Sequence, residues 1–145
     1  MSKNHYKKLQ NMYLCANINT ILFNPTTCNI SEGRSEISLA INEKYFHPLG
    51  AIHGAVYFKL LDDASYFAVS SIVKDVFVLT TSYEIKLIKP VNHGYLKAIG
   101  TVKHNYINKF IAEATLYNEA GEKVAFGIGN FSKSKTLLSE KIGYR

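Results

Sequence analysis

AVYFKLLDDASYFAVSSIV, residues 55–73, holds neither proline nor glycine and sets apolar side chains on almost every side of a helical projection. A helix of this length spans about 28 Å at ~1.5 Å per residue, and its composition marks it as buried all round rather than amphipathic. Two adjacent acids interrupt it, Asp62 and Asp63, two of only three aspartates among eleven acidic residues. Lys59 stands four residues before Asp63, so Asp63 reads as a surface acid with a cation one turn back. Asp62 has Ala55, Phe58, Ser65 and Tyr66 as helical neighbours, none of them a cation. An unpaired buried carboxylate is costly, which points to function at Asp62.

Outward from this helix the apolar period changes to two. Tyr83, Ile85 and Leu87 alternate with Ser82, Glu84 and Lys86 up to Lys89-Pro90. Leu96, Ala98 and Val102 share a face of the next strand, and Phe110, Ala112, Ala114 and Leu116 line a third. After a turn at residues 118–122, Val124, Phe126 and Ile128 line a fourth, and the short connections predict an antiparallel meander. Upstream, Ile37, Leu39 and Ile41 alternate with polar or small residues. Residues 18–23 predict a first strand ended by Asn24-Pro25, joined to the second as a hairpin through the turn-like residues 31–34. Tyr6, Leu9, Met12, Tyr13 and Ala16 recur at helical spacing, so residues 1–17 carry an N-terminal helix, and residues 132–145 read as a C-terminal tail. The expected fold class is α+β, one domain over residues 1–145 with an antiparallel sheet around one central helix. Tyr95, Ile99, Ile111, Tyr117 and Phe131 are expected on the sheet's other face, which predicts self-association.

The 145 residues carry 17 Lys and Arg against 11 acids, a formal charge of +6, which favours an anionic partner: nucleic acid, a membrane surface or a phosphorylated small molecule. No contiguous basic run or reading motif supports nucleic acid. Cys15 and Cys28 are too few for a disulfide scaffold and lack metal-site spacing. Asn11, Asn17 and Asn19 break any signal-peptide core, and no uncharged run reaches about 18 residues, so a cytoplasmic protein outside the membrane is expected.

Chemistry concentrates in His47-Pro48-Leu49-Gly50-Ala51-Ile52-His53-Gly54-Ala55, with Asp62 nine residues after His53. Gly54 falls where the helix begins, so its N–H is one of the orphan donors of the first turn, at the positive end of the dipole. A carbonyl oxygen bound there is polarised as in an oxyanion hole. Asp62 lies about two turns on, roughly 12 Å along the axis, too far to share a site with its own Gly54. Two antiparallel copies of the helix bring one chain's Asp62 to the other's Gly54.

This pattern resembles the hotdog-fold acyl-CoA thioesterases of the phenylacetate-degradation and 4-hydroxybenzoyl-CoA type, whose motif is Asn-x-x-Gly-x-x-His-Gly-Gly followed by an acid about nine residues after the histidine. Gly50, His53, Gly54 and Asp62 fall on it in register, while His47 stands for the family's Asn and Ala55 for its second Gly. The resemblance spans roughly residues 30–131. It implies an acyl-CoA substrate, no metal, no cofactor beyond the substrate's coenzyme A, and a homodimer or a dimer of dimers. It implies catalytic roles for Asp62, as general base or nucleophile, for the Gly54 N–H, for Thr80 beside the carboxylate, and for His47 in orienting the nucleophile. A neutral histidine donates one hydrogen bond where the Asn would, and brings a pH dependence. Substrate contacts are expected from His53 and Gly50 in the loop, Thr81, Phe58 and Tyr66 on the pocket walls, and Lys89, Lys103 or Lys109 toward the phosphates. The bland reading of those lysines is a solvated face. Two alternatives stay open, a non-catalytic acyl-CoA sensor or carrier and a hotdog hydratase or dehydratase pairing a histidine with an acid.

Overall fold

The apolar run folds as the central helix, and the computed structural model describes residues 2–145 around it. In chain order these form α1 (Ser2–Cys15), a π-helical turn (Ile18–Leu22), β1 (Thr26–Ser31), β2 (Arg34–Ala40), α2 (Gly54–Ser70), β3 (Val76–Leu87), β4 (Tyr95–Asn105), β5 (Lys109–Tyr117) and β6 (Lys123–Leu137). The strands make one antiparallel sheet in the order β1-β2-β4-β5-β6-β3. The sheet wraps α2, whose Val56, Tyr57, Leu60, Leu61, Ala64, Phe67 and Val69 are buried. Each large aliphatic or aromatic side chain so buried stabilises by about 1.5–3 kcal/mol. This is the hotdog arrangement, α+β with a sheet around one helix.

Gly100 sets how closely helix and sheet approach. A Cβ there would lie 2.3 Å from the Ala64 carbonyl oxygen of α2. Beside it, the Ser35 hydroxyl of β2 donates to that same oxygen at 2.6 Å. α2 stops at Ser70, three residues short of the apolar run's end. The Ser71 hydroxyl donates to Ala68 O at 2.6 Å and accepts from Gly33 N at 2.7 Å, drawing the chain out of the helix.

Four expectations change. Residues 18–22 form the π-helical turn after α1, and the first strand is Thr26–Ser31, hairpinned to β2 through Gly33 at φ +68°. The inward face of β6 is Ala125, Gly127, Gly129 and Phe131, while Phe126 and Ile128 are 39% and 44% exposed on the outer face. Two glycines cause the inversion: a Cβ on Gly127 or Gly129 would lie 2.4 or 2.3 Å from the Tyr83 ring, which occupies that space. Phe131, expected outside, is 1% exposed and packs with Val69, Val78 and Phe110. Residues 132–137 continue β6 rather than forming a tail, and Leu138, Ile142 and Tyr144 pack against the core.

α1 packs against β1 and reaches α2 through individual side chains. Buried His5 donates from Nε2 to Ser70 O at 2.8 Å and accepts at Nδ1 from the Tyr144 hydroxyl at 2.7 Å, joining both ends of the chain to α2. Among the described residues, no helix is long and apolar enough to cross a membrane.

Candidate active site

Two separate pockets of one chain hold the candidate residues. His53 caps α2, its Nδ1 accepting from the Ala55 N–H at 2.9 Å. Gly54, the first helical residue, lines a pocket of about 310 Å³ together with His47, Tyr57 and Lys89. The Leu49 N–H donates to His47 Nδ1 at 3.2 Å, so in a neutral ring the proton sits on Nε2 and that nitrogen is the donor. Gly50, at φ +82°, closes the turn by donating to His47 O at 2.9 Å. The Tyr57 hydroxyl donates to Lys89 O at 2.8 Å, and Lys89 Nζ pairs with Glu122 at 2.6 Å.

Asp62 lines the second pocket, about 400 Å³, between α2, β3 and the N-terminal segment. The Thr80 hydroxyl donates to its Oδ1 at 2.9 Å. Burial pushes the Asp62 carboxyl up to about 6; the Thr80 bond and Lys59 pull it down, and the neighbouring Asp63 charge adds to the rise. Such a group is a carboxylate at neutral pH yet basic enough to accept a proton. Tyr66 lines the same pocket, its buried hydroxyl near Ser70 and the Val78 backbone but in hydrogen-bonding geometry with neither.

Asp63 is not the surface acid expected. It forms an ion pair with Lys59, both side chains largely covered, and accepts from the Tyr13 hydroxyl of α1 at 2.9 Å. Lys59 Nζ also sits 5.1 Å from the Tyr13 ring centroid and 5.0 Å from that of Phe23. Desolvation is the largest influence on Asp63 and raises its pKa, opposed by Lys59 and the Tyr13 bond. The i,i+4 spacing of Lys59 and Asp63 was legible; the cover that α1 supplies was not. Tyr13 and Asn19, which also line the Asp62 pocket, carry no sequence signal beyond the apolar stripe of α1.

The other candidates lie elsewhere. Thr81 sits at a register shift between β3 and β6 and donates to Asn130 O at 3.1 Å. His53 faces a third cavity with Tyr45 and Phe46. Phe58 is half-exposed, edge-on to Tyr83 at 5.6 Å. Lys103 pairs with Glu113 at 3.4 Å, and Lys109 is exposed at the start of β5. Lys109 pairs with Ser132, which also pairs with Leu79, so it stands at the Thr80 end of the sheet, whereas Lys89 stands at the Gly54 end. Cys15 and Cys28 are both free, and burial pushes the Cys28 thiol up to about 12. Among the described residues, no three His, Cys, Asp or Glu side chains gather as a metal site.

The fold is shared with known proteins. The PaaI protein of the Escherichia coli phenylacetic acid degradation operon superposes with a TM-score of 0.85 over 95% of this chain and 99% of its own, at 18% identity. A thioesterase family protein from Silicibacter pomeroyi gives 0.80 over 88% and 96%, at 18% identity. A thioesterase from Haemophilus influenzae gives 0.75 over 84% and 85%, at 17% identity. No curated protein matches the chain by sequence. The thioesterase superfamily model matches residues 49–125, from the loop before α2 to the first residues of β6, and so takes in Gly54, Asp62 and Thr80. The chain belongs to the thioesterase superfamily.

Proposed function

We propose that this protein hydrolyses an acyl-CoA thioester at a site shared by two antiparallel copies of the chain. The observation that carries the proposal is the separation of the two half-sites: Asp62 with Thr80 in one pocket, Gly54 with His47 in another, two helical turns apart. Neither half alone has both a base and an oxyanion donor. The thioester carbonyl would accept from the Gly54 N–H of one copy, beside the Nε2–H of His47. Asp62 of the other copy would take a proton from water as the oxygen adds to the carbonyl carbon. The resulting oxyanion is held by the helix N-terminus, the C–S bond breaks, and the coenzyme A thiolate leaves and takes up the proton. The alternative route, attack by the Asp62 carboxylate through an anhydride, deposits solvent ¹⁸O in Asp62 after one turnover in labelled water when water opens the anhydride at the Asp62 carbonyl, whereas the base route labels only the product acid.

The positive charge of the chain fits the phosphates of coenzyme A. Antiparallel pairing would bring Lys89 of one copy toward Lys103 and Lys109 of the other, at the mouth of the shared site. A homodimer or dimer of dimers, a cytoplasmic setting, and no cofactor besides the substrate's own coenzyme A belong to the same proposal.

The test is complementation. Asp62→Asn and Gly54→Pro are each made; proline is accepted at the first helical position and replaces the N–H with a ring carbon, while its Cβ lies 3.3 Å from Leu87 Cδ1. Each variant alone is expected to release thiol from acyl-CoA at least 100-fold more slowly than wild type. Mixing them after brief denaturation and refolding restores activity toward a quarter of wild type, because mixed dimers contain one intact site. Recovery absent in dimers shown to be mixed would overturn the shared site. Tight acyl-CoA binding by wild type with no thiol release would favour the sensor or carrier reading.

A further inference from the structure

Residues 1–31 hold no acid, and none of their lysines belongs to the site described above. α1 winds almost without a break into the π-helical turn, where the N–H groups of Asn19 and Thr20 donate to Ala16 O at 2.9 and 3.0 Å. One side of this segment, carrying His5, Leu9, Met12 and Tyr13, is buried. The opposite side recurs at the same helical spacing, with Lys3 and Lys7 exposed in its first half and Leu14, Ile18, Ile21 and Leu22 exposed in its second. These four aliphatics are 42–68% exposed. A row of large apolar side chains left in water marks a surface of contact.

We infer that this outward face of residues 3–22 docks on an anionic lipid surface, with the aliphatic row in the headgroup boundary and Lys3 and Lys7 on the headgroups. The chemistry of the face selects that occupant. A nucleic acid would answer the lysines and leave four aliphatics in water. A second copy of the same face would answer the aliphatics but set the lysines against a segment with no acid to meet them. A bilayer with anionic headgroups offers hydrocarbon and negative charge side by side, the setting that basic interfacial helices occupy. The formal charge of +6 on the chain acts in the same direction. Among the described residues no helix is long and apolar enough to cross a membrane, so the attachment is peripheral. Ile18 belongs both to the row and to the wall of the Asp62 cavity, so docking sets that wall beside the bilayer. The segment lies outside residues 49–125, and its docking is independent of the chemistry at Asp62.

The test is co-sedimentation of the full chain with vesicles of phosphatidylcholine, either alone or with about 30% phosphatidylglycerol. Partitioning is expected to be about tenfold stronger on the anionic vesicles, and to fall about fivefold when roughly 0.5 M salt screens the lysines. Leu14→Gln with Ile21→Gln, and separately Lys3→Glu with Lys7→Glu, are each expected to weaken it about fivefold. All four positions are exposed, so both variants are expected to keep the circular dichroism of wild type. Lys133→Glu with Lys135→Glu makes the same change of charge on β6 and is expected to leave partitioning within about twofold. Equal partitioning on the two kinds of vesicle would overturn the inference. So would indifference to Leu14→Gln with Ile21→Gln, or a loss from the β6 variant as large as that from Lys3→Glu with Lys7→Glu. A wild type that stays off both vesicles and loses self-association in Leu14→Gln with Ile21→Gln, read by sedimentation velocity, would show a second copy on the row and overturn it too. A wild type that partitions as expected but releases no thiol would remove the hydrolase reading and leave lipid docking standing; an active wild type that stays in solution would do the reverse.

Discussion

The hydroxyl of Thr80 donates to Oδ1 of Asp62 across 2.9 Å, joining the edge strand β3 to the central helix at the carboxylate. The bond favours the charged form, in opposition to the burial that pushes Asp62 up to about 6. Thr80→Val removes it and is expected to move the acid limb of the kcat/KM profile upward by as much as about one pH unit. Thiol release measured from pH 5 to 8 checks this. A limb that stays in place would remove Thr80 from the site.

Asp62 also ties activity to stability. Its pKa is raised in the folded protein above its ordinary value of 3.8. The native state therefore holds more protons than the unfolded state between about pH 4 and pH 6. Over that window stability falls as pH rises, and above it the loss is complete, on the order of 2 kcal/mol. Asp62→Asn is expected to abolish this contribution, so the variant gains stability over wild type at pH 7 while losing activity. Urea unfolding at pH 4 and pH 7 reads the difference, and an equal gap at both would contradict the burial of Asp62.

The Lys59–Asp63 pair predicts the opposite cost. Lys59→Met leaves Asp63 with only the Tyr13 hydroxyl, in a site that already disfavours its charge. Destabilisation of about 3 kcal/mol is expected at pH 7. The folded pKa of Asp63, already above its ordinary 3.8, rises further in the variant, so the deficit grows as pH climbs above the wild-type folded value and shrinks below it. Thermal unfolding across pH 3.5 to 7 measures it. A deficit independent of pH would mean that lost packing, not the orphaned carboxylate, is responsible.

Gly100→Ala tests the seat of the central helix. The new Cβ would meet the Ala64 carbonyl at 2.3–2.4 Å, and that carbonyl is held against the sheet by the hydroxyl of Ser35, the β2 residue paired with Gly100. Displacing α2 is expected to cost about 3 kcal/mol or more. Denaturant midpoints check this, and a loss under about 1 kcal/mol would show the helix free to shift.

Local pattern was enough for the parts of this protein whose physics is local. The proline-free run that became α2, the two-residue period of β3 and β5, and the nine-residue interval from His53 to Asp62 all follow from backbone geometry within one segment. They sufficed for the fold class and for the Gly54 and Asp62 candidates. The rest depends on what distant segments cover. Phe126 and Ile128 look like an inward row until the Tyr83 ring claims the space over Gly127 and Gly129, and the face of β6 inverts. Asp63 looks exposed until α1 brings the Tyr13 hydroxyl to it, and Asn19 reads as a mere break in an apolar run until the turn after α1 carries it to the wall of the Asp62 pocket. Burial and pocket walls are properties of several segments at once, so tertiary structure alone decided them.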